Sequence, residues 1–183
     1  MSRLNIRSIQ TVSPLLELQK MLIRDFEQGE EAMLRRVFMS SVHELASGFY
    51  TKEQLNAWAP RAYDERQWAE KISALRPFVA IIDGCIAGYS DLQESGFIGH
   101  FFVSGEFSRR GVGSALMEHI QKTASQRKIS ELSANVSRAA ESLFVRFLQN
   151  SDCFHKPASW VIERRRQMEG YVEWQTIQPR ALQ

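Results

Sequence analysis

The chain has 183 residues, 44% apolar and 24% charged, with 10 Gly and 5 Pro, a composition that excludes disordered, collagenous and coiled-coil classes and fits one compact domain. Its 23 Lys and Arg against 21 Asp and Glu leave a net charge of +2, so no nucleic-acid or membrane surface acting through bulk charge is expected. Cys85 and Cys153 are too few for a disulfide framework and lack zinc-ligand spacing, which points to a reducing cytoplasm and no metal site.

Apolar runs such as Pro77 to Ile82 fall far short of the roughly 20 residues a membrane helix needs. Met1 to Lys20 carries Arg3 and Arg7 ahead of a weakly apolar stretch interrupted by Glu17, a poor signal peptide. It reads as an N-terminal extension from an upstream start codon, with one domain over residues 21–183.

Met21 to Phe26 reads as a strand, and Glu30 to Ser41 as an amphipathic helix, with Met33, Leu34, Val37, Phe38 and Val42 at three-to-four spacing. Gly48 breaks it. Thr51 with Gln54 three residues on predicts a capped short helix whose apolar face is Leu55 and Trp58 and which Pro60 ends. Asp64 caps another over about residues 65–75. Phe78 to Ile82, Asp83-Gly84 and Cys85 to Leu92 predict a hairpin, and Phe97 to Val103 a further strand.

Ser108-Arg109-Arg110-Gly111-Val112-Gly113-Ser114 then opens a helix with Val112, Leu116, Ile120 and Ala124 on its buried stripe. Ile129 to Val136 is the next strand, and the strand, helix, strand order implies a parallel crossover in a mixed α/β sheet. Ala139 to Phe147 is a second amphipathic helix. Trp160 to Arg166 and Tyr171 to Ile177, joined through Glu169-Gly170, read as a closing antiparallel hairpin through which a homodimer could form.

The chemistry sits at Phe101 to Met117. Free N–H groups at a helix N-terminus, glycines at 111 and 113 that let backbone approach a ligand, and the guanidinium groups of Arg109 and Arg110 together suit phosphate oxygens. The pattern is neither a P-loop nor a dinucleotide fingerprint. Incidental glycines with a solvated Arg pair, or a phosphate-ligand domain taking ATP or NAD, are the other readings of these residues.

Phe101-Phe102-Val103-Ser104-Gly105-Glu106-Phe107-Ser108-Arg109-Arg110-Gly111-Val112-Gly113-Ser114 resembles the GCN5-related N-acetyltransferase (GNAT) family, whose motif runs Gln/Arg-x-x-Gly-x-Gly/Ala after a strand. Leu132 to Phe144 resembles the family's next strand and helix. Tyr50 to Ala59, ending Ala57-Trp58-Ala59, is similar to a subgroup of small bacterial members. The resemblance covers most of Met21 to Ile177. It implies a mixed, mostly antiparallel central sheet with helices on both faces and a splayed parallel strand pair.

It also implies acetyl-CoA as cofactor, with pyrophosphate against Ser108, Arg109, Arg110, Gly111, Val112, Gly113 and Ser114, and pantetheine beside Phe101, Phe102 and Val103. Ser137 and Phe144 complete the implied cofactor contacts. A backbone N–H near Phe102 would meet the thioester oxygen. The activity implied is direct acetyl transfer to the amine of a small molecule or peptide. Ser108 stands where the motif prefers Gln or Arg, and Phe144 where a thiolate-protonating Tyr is frequent. Leu148 to Phe154 departs from the usual Gly-Phe and runs about one turn longer.

His100 is the candidate base, since an alkylamine must lose a proton before it attacks. Strand alternation can also place it on the opposite face. His43 and Tyr50, with Glu44, fall in the region that shapes acceptor pockets in this family, although a cap or packing role is the commoner one for such residues. Cys153 reads as a buried thiol rather than a nucleophile. Arg164-Arg165-Arg166 reads as an exposed strand, and Trp58, Trp68, Trp160 and Trp174 as core or interface anchors. Phe144 keeps a second function open, a catalytically silent acyl-CoA-binding domain.

Overall fold

The computed structural model describes the backbone of residues 21–149, 159–168 and 171–177, and the side chains of 21–147. The proposed extension, Cys153, and the side chains of Trp160, Trp174 and Arg164 to Arg166 lie outside the described residues.

The elements run β1 (Met21–Asp25), α1 (Glu31–Ser40), α2 (Lys52–Trp58), α3 (Glu65–Leu75), β2 (Phe78–Ile82), β3 (Cys85–Ser90), β4 (Phe97–Ile98), β5 (Phe101–Val103), α4 (Val112–Gln126), β6 (Glu131–Val136), α5 (Glu141–Gln149), β7 (Ser159–Met168) and β8 (Tyr171–Ile177). The caps read from sequence are made. Thr51 Oγ1 accepts the Gln54 amide while Gln54 Oε1 accepts the Thr51 amide, and Asp64 Oδ1 accepts the Gln67 amide. Helix α1 ends earlier than expected, because Ser41–Leu45 opens into a π turn.

Two four-stranded ladders form, in the orders β1-β2-β3-β5 and β4-β6-β7-β8. The first is antiparallel throughout. In the second, β6 runs parallel to both β4 and β7, and β7 pairs antiparallel with β8. The α/β mixed sheet and the crossover are as expected. The predicted single strand over 97–103 is instead two: Phe97 and Ile98 pair with Ser133 and Ala134 of β6, whereas Phe101 to Val103 pair with Ser90 to Gly88 of β3.

Helices cover both faces. Leu116, Met117, Ile120 and Ala124 of α4 bury with Phe78, Ala80 and Ile82 of β2. On the other face Leu34, Val37 and Phe38 of α1 bury with Val79, Tyr89 and Phe102. The alternation along β2 assigns its residues to the two faces. Among the described residues no helix is long and apolar enough to cross a membrane.

Candidate active site

The strand switch at Gly99 and His100 opens the molecule. After Ile98 pairs with Ala134, β6 continues to Val136 without β4 beside it, while β5 turns away to join β3. The gap between β5 and the end of β6 becomes a cleft of about 940 Å³. Its floor and sides are Phe101, Phe102 and Val103 of β5, Asn135 and Val136 at the end of β6 with Ser137 after it, the start of α4, and Leu143, Phe144 and Arg146 of α5.

The Asp91 carboxylate holds the switch. Asp91 is fully buried, and its Oδ1 accepts the His100 amide at 2.5 Å while Oδ2 accepts Gln93 Nε2 at 3.3 Å. The Gly99 amide also favours its charge, yet burial prevails and raises the carboxyl above its ordinary range. The His100 carbonyl in turn accepts Ser90 Oγ and the Asp91 amide. Backbone that leaves one ladder before joining another would otherwise bury unpaired amides.

The register decides which β5 amides are free. Ser104 N–H donates to the Ala87 carbonyl, and Asp91 N–H to the His100 carbonyl. Alternation along an antiparallel pair therefore turns the Phe102 amide toward β3, across from Tyr89. The amides of Phe101 and Val103 face the open edge, so the free N–H groups near Phe102 are those of its two neighbours.

Before α4 the backbone is concave. Arg109 (φ 60°) and Gly111 (φ 82°) both take left-handed conformations, a sequence of turns that directs successive amides inward. Ala115 N–H donates to the Gly111 carbonyl, leaving the amides of Val112 to Ser114 without intrahelical acceptors at the positive end of a 15-residue helix. At Gly113 the helix comes close to α5: a Cβ there would lie 2.9 Å from Leu143 Cδ2, the tip of a flexible side chain. Arg146 Nη2 donates to Ser114 Oγ at 2.6 Å, tying α5 to this helix start.

This arrangement, a splayed strand pair above an amide cradle, leads directly to its relatives. A family model described as "Acetyltransferase (GNAT) domain" matches residues 47–147. An Escherichia coli (strain K12) protein, "Uncharacterized N-acetyltransferase YafP", is 34% identical over 125 residues, covering 68% of this chain and 78% of the relative. The chain belongs to the GNAT acetyltransferase family. It is accordingly an acyltransferase.

Solved GNAT structures share the fold. A GCN5-related N-acetyltransferase from Rhodopseudomonas palustris superposes with TM-score 0.69 at 22% identity, over 85% of this chain and 91% of that one. PaiA N-acetyltransferase from Thermoplasma acidophilum, solved in complex with coenzyme A, gives 0.59 at 17% identity, over 70% and 86%. YncA from Salmonella typhimurium, solved with acetyl-CoA, gives 0.50 at 16%, over 70% and 78%.

Within this GNAT cleft the structure brings together Phe101, Phe102, Val103, Ser108, Arg109, Gly111, Val112, Gly113, Ser114, Ser137 and Phe144. Arg110 is not on the wall; its guanidinium sits 5.3 Å from the centre of the Phe107 ring. Phe144 is buried and meets the Phe101 ring edge-on at 5.1 Å, so this wall offers carbon where a hydroxyl is frequent.

His100 does not line the cleft. Its ring lies on the α1 side, stacked on Trp68 at 6.5 Å and edge-on to Tyr89 and Phe102. Burial pulls its pKa down to about 4, and the buried Nδ1 has no hydrogen-bond partner. Of the two placements the sequence left open for His100, base in the cleft or the opposite face, its ring takes the opposite face, because strand alternation turns it toward α1. The consequence is thermodynamic. A histidine neutral when folded and titrating near 6.5 unfolded stabilises the protein fully above pH 6.5, and that contribution is lost as pH falls toward about 4. Denaturant titrations at pH 7 and pH 4 should show His100→Gln losing on the order of 3 kcal/mol less than the parent protein over that interval. Equal losses in both proteins would refute it.

His43 and Tyr50 also stand behind the wall rather than in it. His43 Nε2 pairs with the Ala59 carbonyl at 2.8 Å, fixing the end of α2. Tyr50 Oη accepts the Arg138 amide at 3.0 Å and its ring packs edge-on to Trp58. Glu44 lies against Gly105. The side chains these residues support, Ser41, Leu45, Ala46, Phe49 and Trp58, form the cleft wall opposite α4. The sequence reads Trp58 as a core or interface anchor and gives no signal for Phe49, Arg146 or Asp91. The Ala57-Trp58-Ala59 segment was the one available signal.

Proposed function

We propose that the protein transfers an acetyl group directly from acetyl-CoA to an amine of a small molecule or peptide. The observation that carries this reading is the single cleft bounded by the free Phe101 and Val103 amides at one side and the amide cradle of residues 109–114 at its end. The concave backbone and the two flanking guanidinium groups, Arg109 and Arg146, fit a pyrophosphate.

Bound acetyl-CoA supplies an activated acyl carbon and a thiolate leaving group. The Val112 to Ser114 amides and Arg109 hold phosphate oxygens, and Arg146 orients Ser114 beside them. Val103 offers its amide and carbonyl to an amide-bearing arm running along β5. The Phe101 N–H, on the open edge of β5, would donate to the carbonyl oxygen as negative charge develops there, a contact typically worth about 3 kcal/mol in such reactions. With the donor held in this way, the acceptor nitrogen would attack the carbonyl carbon as the C–S bond breaks, and the amine proton would pass to the departing thiolate through water. A cytoplasmic location follows the donor, and self-association through the β7–β8 hairpin remains part of this proposal.

Thermal unfolding with acetyl-CoA tests it. At ligand a hundredfold above Kd, linkage gives about 2.7 kcal/mol of stabilisation. For a chain of this length that raises Tm by roughly 5–10 °C. CoA should do the same and ATP and NAD should not. No shift with acetyl-CoA, or a larger one with ATP or NAD, overturns the cofactor assignment. Tight binding without turnover over a broad amine panel would return the silent acyl-CoA-binding domain, the reading that Phe144 favours.

A further inference from the structure

The wall built by the segment after α1 is chemically unlike the rest of the cleft. Phe49 keeps 44% of its surface exposed, with the Arg138 guanidinium 5.7 Å from its ring centre on one side, and with Trp58 it lines the space in front of β5. Exposed aromatic area at a cleft mouth adds nothing to the core, and such surface is characteristic of ligand recognition. The wall is also rigid. The Thr51–Gln54 capping box, the His43 to Ala59 contact and the Tyr50 to Arg138 contact hold it from three directions. Charge points the same way. Among the described residues, the ionisable side chains lining the cleft are Arg109 and Arg146, both at the end assigned to pyrophosphate, so the lining holds no carboxylate to pair with an ammonium ion on the acceptor.

Resting on the acetyl-transfer reading above, we propose that the acceptor is a neutral aromatic primary amine, an arylamine, whose ring lies against Phe49 and Trp58. Such a nucleophile suits this site. Its lone pair is delocalised into the ring, so it is already a free base at neutral pH and needs no general base to activate it, whereas an alkylamine arrives as an ammonium ion. The one histidine near β5, His100, lies in the aromatic core behind Phe102. Flat aromatic walls recognise a ring by stacking, and two fixed aromatic side chains lose little freedom in doing so.

The test compares 4-methoxyaniline, benzylamine and spermidine as acceptors with acetyl-CoA, following thiol release, with acetyl-CoA binding measured by calorimetry on the same sample. At about pH 7.5 the arylamine should exceed benzylamine in kcat/KM by at least about tenfold, with spermidine lowest. Its kcat/KM should stay flat from about pH 6.5 to about pH 9, while that of benzylamine rises with pH. Phe49→Ala and Trp58→Ala should each raise the arylamine KM by about fivefold or more and leave acetyl-CoA affinity unchanged. Phe49 is half exposed, so its truncation keeps the fold. A smaller preference, a preference for benzylamine or spermidine, or no arylamine turnover by protein that binds acetyl-CoA overturns the acceptor class alone. Failure to bind acetyl-CoA overturns both this inference and the reading beneath it.

Discussion

Gly113→Glu will abolish acetyl-CoA binding and leave a folded protein. The Cβ it introduces would lie 2.9 Å from Leu143 Cδ2, at the point where α4 meets α5 on the cleft wall. The carboxylate beyond it lies in the first turn of α4, among the amides assigned to phosphate. There it meets the helix dipole and the Arg109 and Arg146 cations in place of the ligand. Stability is spared, because an acidic residue in the first helical turn is favourable and glycine is a poor helix former. Calorimetry should show acetyl-CoA affinity falling at least about a hundredfold, about 2.7 kcal/mol, with an unchanged circular dichroism spectrum. Gly113→Ala separates charge from bulk: its methyl meets only the mobile end of Leu143, so affinity should stay within about tenfold. Unchanged affinity in Gly113→Glu would remove the phosphate assignment.

Asp91→Ala should both destabilise the protein and cost it activity. The substitution removes, at a fully buried side chain, the acceptor of the half-buried His100 amide and a favourable partner of the Gly99 amide. An unpaired buried donor costs about 1–3 kcal/mol, which corresponds to a Tm loss of roughly 2–12 °C in a chain of this length. The activity loss follows from geometry, since the switch at Gly99 and His100 determines that β5 pairs with β3 and leaves its other edge free. Asp91→Asn keeps one carbonyl acceptor, and Gln93 can turn its amide to offer oxygen to the new NH₂. This variant should recover most of the stability and kcat. Asp91 is a positioning residue, so kcat should fall in Asp91→Ala by about tenfold or more even well below its lowered Tm. Wild-type stability and kcat in Asp91→Ala would show that the ladders alone hold the switch.

Local signals made much of the fold legible. The Thr51 and Asp64 caps, the Asp83-Gly84 turn and the α4 stripe are short-range features, and each appears where the sequence placed it. The cradle was legible for the same reason, since Gly111 and the helix start after it are neighbours in sequence. The expected single strand over 97–103 failed because its apolar pattern continues through His100 while its hydrogen bonds change partner. Periodicity reports which face a residue takes and carries nothing about which strand lies beside it. His43 and Tyr50 show a similar limit: their position near the site was readable, but their bonds to Ala59 and Arg138 turn them into supports for Phe49 and Trp58.

The sequence by itself determined the order of elements, the α/β class, the phosphate-suited loop and, through its motifs, the family. These rest on interactions spanning a few residues, where backbone geometry and side-chain spacing act directly. Only the tertiary structure decided that β4 and β5 part company, that Phe101 and Val103 rather than Phe102 present free amides, and that Asp91 secures the parting. It likewise brought Arg146 to Ser114, 32 positions apart, and turned His100 into the core. Each of those outcomes depends on which distant backbone or side chain satisfies a buried polar group, and that partner is selected by packing of the whole domain.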